Sequence, residues 1–127
     1  MQRQQSREFT WGVPGGEGRS VPVAKLTIEI EIAHAQSLKD RRQVVRSLKD
    51  KLRHGFNLAV AELDEGLVWN RATLGIATIS SSTAYLTGQN QEIDRAVHRI
   101  ANTLGAEILD SFLEILSETS EIDAPGP

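Results

Sequence analysis

Hydrophobic and polar residues alternate strictly over residues 23–32, which places Leu26, Ile28 and Ile30 on one side of the chain. Such alternation is typical of a β-strand that buries one face and exposes the other. The same pattern, in shorter form, predicts three further strands. They cover residues 57–64, the segment from about Leu67 or Ala72 to Ser80, and residues 107–116.

Residues 37–54 have a helical period instead of a period of two. Apolar side chains recur there at spacings that share one face of an α-helix. They are Leu38, Val44, Val45, Leu48 and Leu52. Ser37 is placed to cap the start of this helix, and Gly55 is placed to end it. The helix is therefore predicted to pack one side against a core.

A second helix is predicted to begin at Ser81 or Ser82 and to stop at Gly105, with Ile93 and Val97 on its apolar face. The short connection between the second and third strands predicts a hairpin. The order of elements is then β-α-β-β-α-β. This order predicts an α+β, ferredoxin-like fold, in which a four-stranded antiparallel sheet carries two helices on one face.

Composition divides the chain into three parts. Residues 1–22 are polar, contain several Gly and Pro, and show no sustained period, which indicates a flexible N-terminal extension. Residues 117–127 carry three acidic side chains before a Pro-Gly-Pro end and indicate a flexible acidic C-terminal tail. Residues 23–116 form the predicted folded domain.

The chain of 127 residues contains no cysteine. Disulfide frameworks, zinc–thiolate sites and thiol nucleophiles are therefore excluded. No apolar run reaches the roughly 20 residues that span a bilayer, and the first residues lack the apolar segment of a secretory signal. We expect a cytoplasmic protein without a membrane partner.

Charge is distributed unevenly along the chain. Residues 37–54 hold seven basic and two acidic residues, a net +5, whereas the rest of the chain has a net charge of −8. Five of the cations share a helix face beside the apolar one, and we call them the basic stripe: Lys39, Arg42, Arg46, Lys49 and Arg53. The stripe is about 21 Å long, enough to follow several phosphates of a nucleic acid. It is either a binding surface or an ordinary solvated helix face.

The face of the sheet opposite the helices, which we call the open face, is predicted to be small and apolar. If Leu58 and Val60 point to the core, alternation places five other residues on the open face. They are Ala59, Ala61, Leu63, Ala77 and Ile79. A bare apolar face of this kind favours association with a second copy. In the other register of the third strand, Gly75 and Ala77 lie under a helix instead.

The sequence lacks the groups that enzymes and RNA-stacking domains of this topology use. Acyl-phosphate hydrolases need a loop with glycine and arginine after the first strand, but residues 34–36 read His-Ala-Gln. The three histidines are dispersed and have no metal-ligand spacing. The first and third strands carry no aromatic residue on which a base could stack. We therefore expect no catalytic residue, cofactor, metal or small-molecule substrate.

Trp69 and Arg71 lie in the predicted hairpin and have two interpretations. An amphipathic ring and a guanidinium could form a recognition corner together with the basic helix. Alternatively, Trp69 covers the edge of the core while Arg71 neutralises Asp64 or Glu65. The sequence leaves both interpretations open.

Two segments carry a family resemblance, AQSLKDRR at residues 35–42 and WNRATLG at residues 69–75, with shorter matches between them at 44–45, 47–48, 52–53, 56–57 and 61–62. Over about residues 23–116 the chain resembles the bacterial YlxP-like family, small domains of unknown function. The resemblance implies a ferredoxin-like fold. Genes of that family often lie beside those of translation initiation and ribosome-maturation factors, so it also implies a ribosome-associated role, without an established activity.

Together these observations predict a non-catalytic RNA- or ribosome-binding module. It would contact phosphates through the basic stripe, with Trp69 and Arg71 as further contacts. The alternative is a homodimeric structural or protein-interaction domain that associates through the open face.

Overall fold

The computed structural model describes residues 21–117 and contains four strands and two helices within them. They are β1 (Val23–Glu31), α1 (Leu38–Gly55), β2 (Ala59–Glu62), β3 (Arg71–Ile79), α2 (Thr83–Thr103) and β4 (Glu107–Leu116). Apart from residues 21, 22 and 117, the predicted N-terminal extension and the predicted acidic tail lie outside the described residues.

The strands form one antiparallel sheet in the order β2-β3-β1-β4. β1 pairs with β3 along its whole length, from Val23 opposite Ile79 to Glu31 opposite Arg71. The other side of β1 pairs with β4, with a bulge between Glu29 and Ile30. This arrangement confirms the predicted α+β fold with β-α-β-β-α-β order and two helices on one face of the sheet.

The core lies between the sheet and the two helices. β1 contributes Ile28 and Ile30, α1 contributes Leu48 and Leu52, and all four are fully buried. Ile93 of α2 completes the same cluster. Burial of a large aliphatic side chain stabilises a fold by about 1.5–3 kcal/mol, so this cluster holds both helices against the sheet.

Helix α1 begins and ends where the sequence predicts. The Ser37 hydroxyl accepts a hydrogen bond from the Asp40 backbone N–H at 3.1 Å, and Asp40 Oδ2 accepts one from the Gln36 N–H at 3.0 Å. These contacts satisfy backbone donors that the first helical turn leaves unpaired. At the other end, Gly55 is the last helical residue.

Two predictions about the elements are wrong. β2 covers only Ala59–Glu62 instead of residues 57–64, and at its C-terminal end the carboxylate of Asp64, instead of a backbone carbonyl, accepts the Thr73 N–H. Leu38 is 39% exposed, although the helical period places it on the buried face. Arg41, one turn further along, is buried on that side instead.

Candidate nucleic-acid interface

The basic stripe lies along the outer side of α1. Lys39, Arg42 and Arg46 are exposed, Lys49 is partly buried, and 48% of the Arg53 side chain is exposed. The apolar residues of α1 face the sheet, and the cations follow them by one position, which turns their charged ends to water. The structure therefore brings all five predicted cations to one side of one helix.

Four cations of the stripe line a groove of about 240 Å³ along α1. They are Arg42, Arg46, Lys49 and Arg53. Val45 lines the same groove, as do two carboxylates, Asp50 of α1 and Glu62 of β2. Whether the groove attracts an anion depends on what those two carboxylates already bind.

Asp50 binds one cation of the stripe. Its Oδ1 lies 3.3 Å from Arg53 Nη1, and this is the only ion pair that the stripe makes with residues 21–117. The pair is exposed and lies within one helical turn, so it contributes less than about 1 kcal/mol and is easily exchanged for another anion. The other four cations have no carboxylate partner within the described part of the chain.

Glu62 is bound by Arg41, which is not part of the stripe. Arg41 is only 4% exposed, and its Nη1 donates to Glu62 Oε2 at 2.7 Å. Its Nη2 donates to Asp64 Oδ1 at 2.9 Å, and its Nε donates to the Arg71 carbonyl oxygen at 2.9 Å. A buried guanidinium with every nitrogen engaged is satisfied, and it partly offsets the charge of Glu62, the carboxylate that competes with an anion inside the groove.

Asp64 extends this contact into the loop between β2 and β3. Its Oδ1 also accepts the Gly66 N–H at 3.2 Å, and its Oδ2 accepts the Thr73 N–H at 3.1 Å. Gly66 has φ +72°, a conformation that glycine adopts without steric cost, and a Cβ there would lie 3.4 Å from Arg41 Nη1. Arg41 and Asp64 thus connect the start of α1 to residues 63–70.

Sequence reasoning missed the role of Arg41, although a signal was present. Arg41 stands four residues before Val45 and seven before Leu48, which is a position of the apolar face. A cation at such a position needs a buried acidic partner, and Glu62 follows the inward-pointing Val60 at the edge strand. The helical period reveals the cation, but the partner depends on how the strand is placed.

Trp69 and Arg71 lie at the end of the loop that Arg41 holds. Trp69 is 49% exposed, and Leu67 and Val68 beside it are 69% and 57% exposed, so about half of the Trp69 side chain is open to solvent. The interpretation that Arg71 neutralises Asp64 or Glu65 is wrong. The ion-pair partner of Asp64 is Arg41, and the Arg71 side chain forms no ion pair with residues 21–117.

The loop ends near the start of α1. The Ile32 N–H donates to the Asn70 carbonyl oxygen at 2.8 Å, which joins the loop to the segment that leads from β1 into α1. Arg41 makes the second connection through the Arg71 carbonyl oxygen. The structure therefore places Trp69 at the same end of the molecule as Lys39, the first cation of the stripe.

The predicted residues of the second candidate surface all lie on the open face. Ala59, Ala61 and Ala77 are exposed, Leu63 is 51% exposed and Ile79 is 66% exposed. Their neighbours Ala72, Leu74 and Ile76 are buried beneath the helices. The third strand therefore has the register that leaves Gly75 and Ala77 uncovered.

Phe112 belongs to the same face and was not predicted to lie there. It pairs with Thr27 in the β1–β4 register and is 57% exposed. Leu113 beside it is partly buried against the core. Because β4 carries apolar residues on both sides, its alternation does not show which side faces water.

Residues 21–117 contain neither a candidate metal site nor a candidate membrane-spanning helix. No group of three or more His, Asp or Glu side chains in that part of the chain could hold a metal ion. Neither α1 nor α2 is long and apolar enough to cross a membrane.

Comparison with known proteins gives a relative that matches half of this chain, and several distant structures. Over 65 residues the chain is 31% identical to the uncharacterized protein YlxP of Bacillus subtilis (strain 168). The matched region covers 51% of this chain and 71% of that protein. A C-terminal segment of the alpha subunit of aIF2 from Pyrococcus abyssi has a TM-score of 0.42 and 14% identity. That likeness covers 75% of this chain, which spans only 49% of the aIF2 segment.

A second solved structure is similarly distant. The YXEP protein of Bacillus subtilis, a dinuclear metal binding peptidase from the M20 family, has a TM-score of 0.44 and 13% identity over 76% of this chain and 26% of that one. The family comparison covers far more of the sequence. Residues 23–112 match the family described as "Protein of unknown function (DUF503)". The chain therefore belongs to this family of YlxP-like domains, and its folded core is the family domain.

Proposed function

We propose that this domain is a non-catalytic module that binds RNA, including the RNA of the ribosome, by contacting backbone phosphates with the basic stripe. One observation carries the proposal. Four of the five cations have no carboxylate partner within residues 21–117, although they share one groove-bearing helix face. A solvated helix face of a protein with net charge −3 would be expected to balance such a row with acidic residues.

The shape of the stripe suits a row of phosphates. Its five cations are spread over about 21 Å of helix, so several of them can reach successive phosphates of one strand. Arg42 and Arg46 can each bind a phosphate through two parallel N–H donors, which a lysine cannot do. Contacts of this kind fix position and give affinity without reading base sequence.

The open face does not suit RNA. Its central strands present Thr27, Thr73 and Gly75 and no aromatic ring on which a base could stack, and the exposed ring of Phe112 lies on the edge strand β4. Glu29 and Glu31 lie on the same face and repel phosphate. The charge distribution thus favours the helix side of the domain as the RNA-facing side.

Two further observations support RNA as the polyanion. Genes of the family that the chain resembles often lie beside those of translation initiation and ribosome-maturation factors. Trp69 is half exposed at the end of the molecule where the stripe begins, and a ring in that position can stack on an unpaired base. Arg71 follows the same loop, but its place in β3 sets it on the open face beside Glu31, away from the stripe.

The test is co-sedimentation with ribosomes, together with titration of a short RNA duplex, at two salt concentrations. The test variant combines Arg42→Glu, Arg46→Glu and Lys49→Glu. A matched control combines Lys51→Glu, Arg95→Glu and Arg99→Glu, which changes net charge equally but at exposed positions outside the stripe.

We expect the stripe variant to lose binding and the control variant to keep most of it. If the four unpaired cations meet phosphates, the logarithm of the duplex affinity should fall with the logarithm of salt concentration with a slope of about −3.6. A slope near zero, or an equal loss in both variants, would show that the stripe is not the binding surface.

A further inference from the structure

The open face contains an apolar depression of about 270 Å³. It is lined mainly by small residues of β2 and β3, with Leu63 at one side: Ala59, Ala61, Gly75 and Ala77. Gly75 allows Leu63 to lie across β3, because a Cβ at position 75 would lie 2.9 Å from Leu63 Cδ1. The depression exists because its four small residues have no side chain to fill it, while Lys25 and Leu63 lie at its sides.

The same face carries a projecting aromatic ring. Phe112 of β4 is 57% exposed and lies in the same row of the sheet as the depression. Across the four strands this row reads Ala61, Gly75, Thr27 and Phe112. The outer two residues are about 14 Å apart at ordinary strand spacing, so Phe112 cannot fill the depression of its own chain.

We propose that a second copy of this chain covers the open face, with Phe112 of each copy seated in the depression of the other. A two-fold axis produces this arrangement if it runs parallel to the strands, midway between the two facing sheets and level with the gap between β3 and β1. It sets β4 over β2 of the second copy and β3 over β1. The interface is isologous, because one face supplies both the ring and the depression.

The distribution of polar and apolar residues on the face supports this axis. Ile79 and Leu116 lie at one end of the face, and Glu29 and Glu31 lie towards the other. An axis parallel to the strands brings apolar end onto apolar end. An axis across the strands would set each strand over its own copy, with Glu31 against Val23 and Arg71 against Ile79, and an unpaired charge is costly to bury.

Charge complementarity across the interface also supports it. With β3 over β1, Arg71 lies opposite Glu31 of the second copy, and Thr73 lies opposite Glu29 of the second copy. Glu31 therefore meets a cation, and Glu29 enters the interface already bonded, because the Thr73 hydroxyl of its own chain donates to Glu29 Oε1 at 2.9 Å. Attraction between unlike groups and the absence of facing carboxylates both favour this register.

The proposal does not depend on RNA binding. The basic stripe lies on α1, on the opposite side of the sheet, so a dimer formed through the open face leaves both stripes uncovered. Dimerisation and RNA binding can therefore succeed or fail separately.

Sedimentation of the full chain in the absence of RNA tests the proposal. We expect a dimer at high micromolar concentration. Phe112→Glu should raise the dimer dissociation constant by at least about 30-fold, as for loss of a central aromatic anchor. Ala61→Glu should act similarly by placing a carboxylate in the depression, and both positions are exposed, so the fold is retained. Tyr85→Glu on α2, 60% exposed on the helix side, is the control and should have no effect.

Cross-linking distinguishes this interface from pairing between sheet edges. The chain has no native cysteine, so Ala59→Cys and Glu114→Cys introduce unique thiols. These positions share one row on β2 and β4, and the proposed axis brings each opposite the other in the second copy. A bismaleimide with a reach of about 10 Å, the distance between stacked sheets, should join two chains of the double variant but not of either single variant.

Three results would overturn the proposal. One is a monomer at high micromolar concentration. Another is a dimer that tolerates both Phe112→Glu and Ala61→Glu. The third is a dimer in which the variant with both Ala59→Cys and Glu114→Cys does not cross-link, while the single-cysteine variants do. None of these results bears on binding of RNA by the stripe.

Discussion

Arg41 and Glu62 lie 21 residues apart in sequence, and their side chains meet at 2.7 Å beneath the groove of the basic stripe. The contact has two consequences. It joins α1 to the end of β2, and it occupies a carboxylate that lines the groove. Fold stability and the charge presented to a ligand therefore depend on the same guanidinium.

Replacement of Arg41 should destabilise the domain. Arg41→Met removes three side-chain contacts and leaves the carboxylates of Glu62 and Asp64 without their cation. Breaking a fully buried pair costs 3–5 kcal/mol, and we expect about 2 kcal/mol here because both carboxylate side chains are 32% exposed. Urea unfolding of the variant and the wild type measures this difference in the free energy of unfolding.

Arg53→Met is the control for that experiment. It also removes an arginine of α1 with a carboxylate partner, but both side chains are about half exposed or more, so the cost should stay below about 0.5 kcal/mol. Equal losses of unfolding free energy for the two variants would mean that the buried contact of Arg41 stabilises the domain no more than the exposed pair of Arg53.

Two glycine substitutions should change stability in opposite directions. Gly66→Ala places a Cβ on a residue with φ +72° and close to Arg41, so the free energy of unfolding should fall by about 1–2 kcal/mol. Gly88 lies within α2, where a Cβ would meet nothing within 4 Å, so Gly88→Ala should raise the free energy of unfolding by about 0.5–1 kcal/mol. Thermal unfolding decides the signs, and a stabilising Gly66→Ala would contradict the conformation of the loop.

Most of the fold could be predicted because local periods decide it. β1 alternates without interruption, and α1 and α2 have capping residues at their predicted starts. The ends of β2 could not be predicted. The C-terminal end depends on Asp64, whose partner Arg41 lies 23 residues earlier on another element. A pattern within one segment carries no information about such a contact.

The candidate surfaces were predictable to different degrees. The exposure of the stripe follows from its position beside the apolar face of α1, which is a property of one helix. The role of Phe112 follows from the pairing of β4 with β1 and could not be read from β4 alone. The partner of Asp64 is likewise a property of the folded sheet and helix together.

A buried polar pair beneath α2 gives a further prediction. Asn90 Nδ2 donates to Thr78 Oγ1 at 3.0 Å and to the Leu86 carbonyl oxygen at 2.9 Å, while Asn90 Oδ1 is buried without a hydrogen-bond partner within residues 21–117. Thr78→Val and Asn90→Leu should each leave a polar group of the other residue unpaired. Thr78→Val should therefore cost about 1 kcal/mol.

The double variant should not show the sum of the single effects. With Thr78→Val and Asn90→Leu together, the hydroxyl and the amide are both absent, so the free energy of unfolding should return to the wild-type value or exceed it. A double-mutant cycle by urea unfolding measures the coupling. Additive losses would mean that the two side chains do not depend on each other.

The exposed pair between Asp50 and Arg53 gives the sharpest test of the basic stripe. Asp50→Asn removes the only carboxylate that binds a cation of the stripe within the described residues, so Arg53 becomes available to phosphate. RNA affinity should rise by about threefold to fivefold, and the salt slope should steepen by about 0.9 for the added contact. Glu92→Gln is the matched control, because Glu92 makes the same kind of pair with Arg95 on α2. It changes net charge by the same amount, so an equal rise in affinity would mean that overall charge, and not the stripe, attracts the RNA.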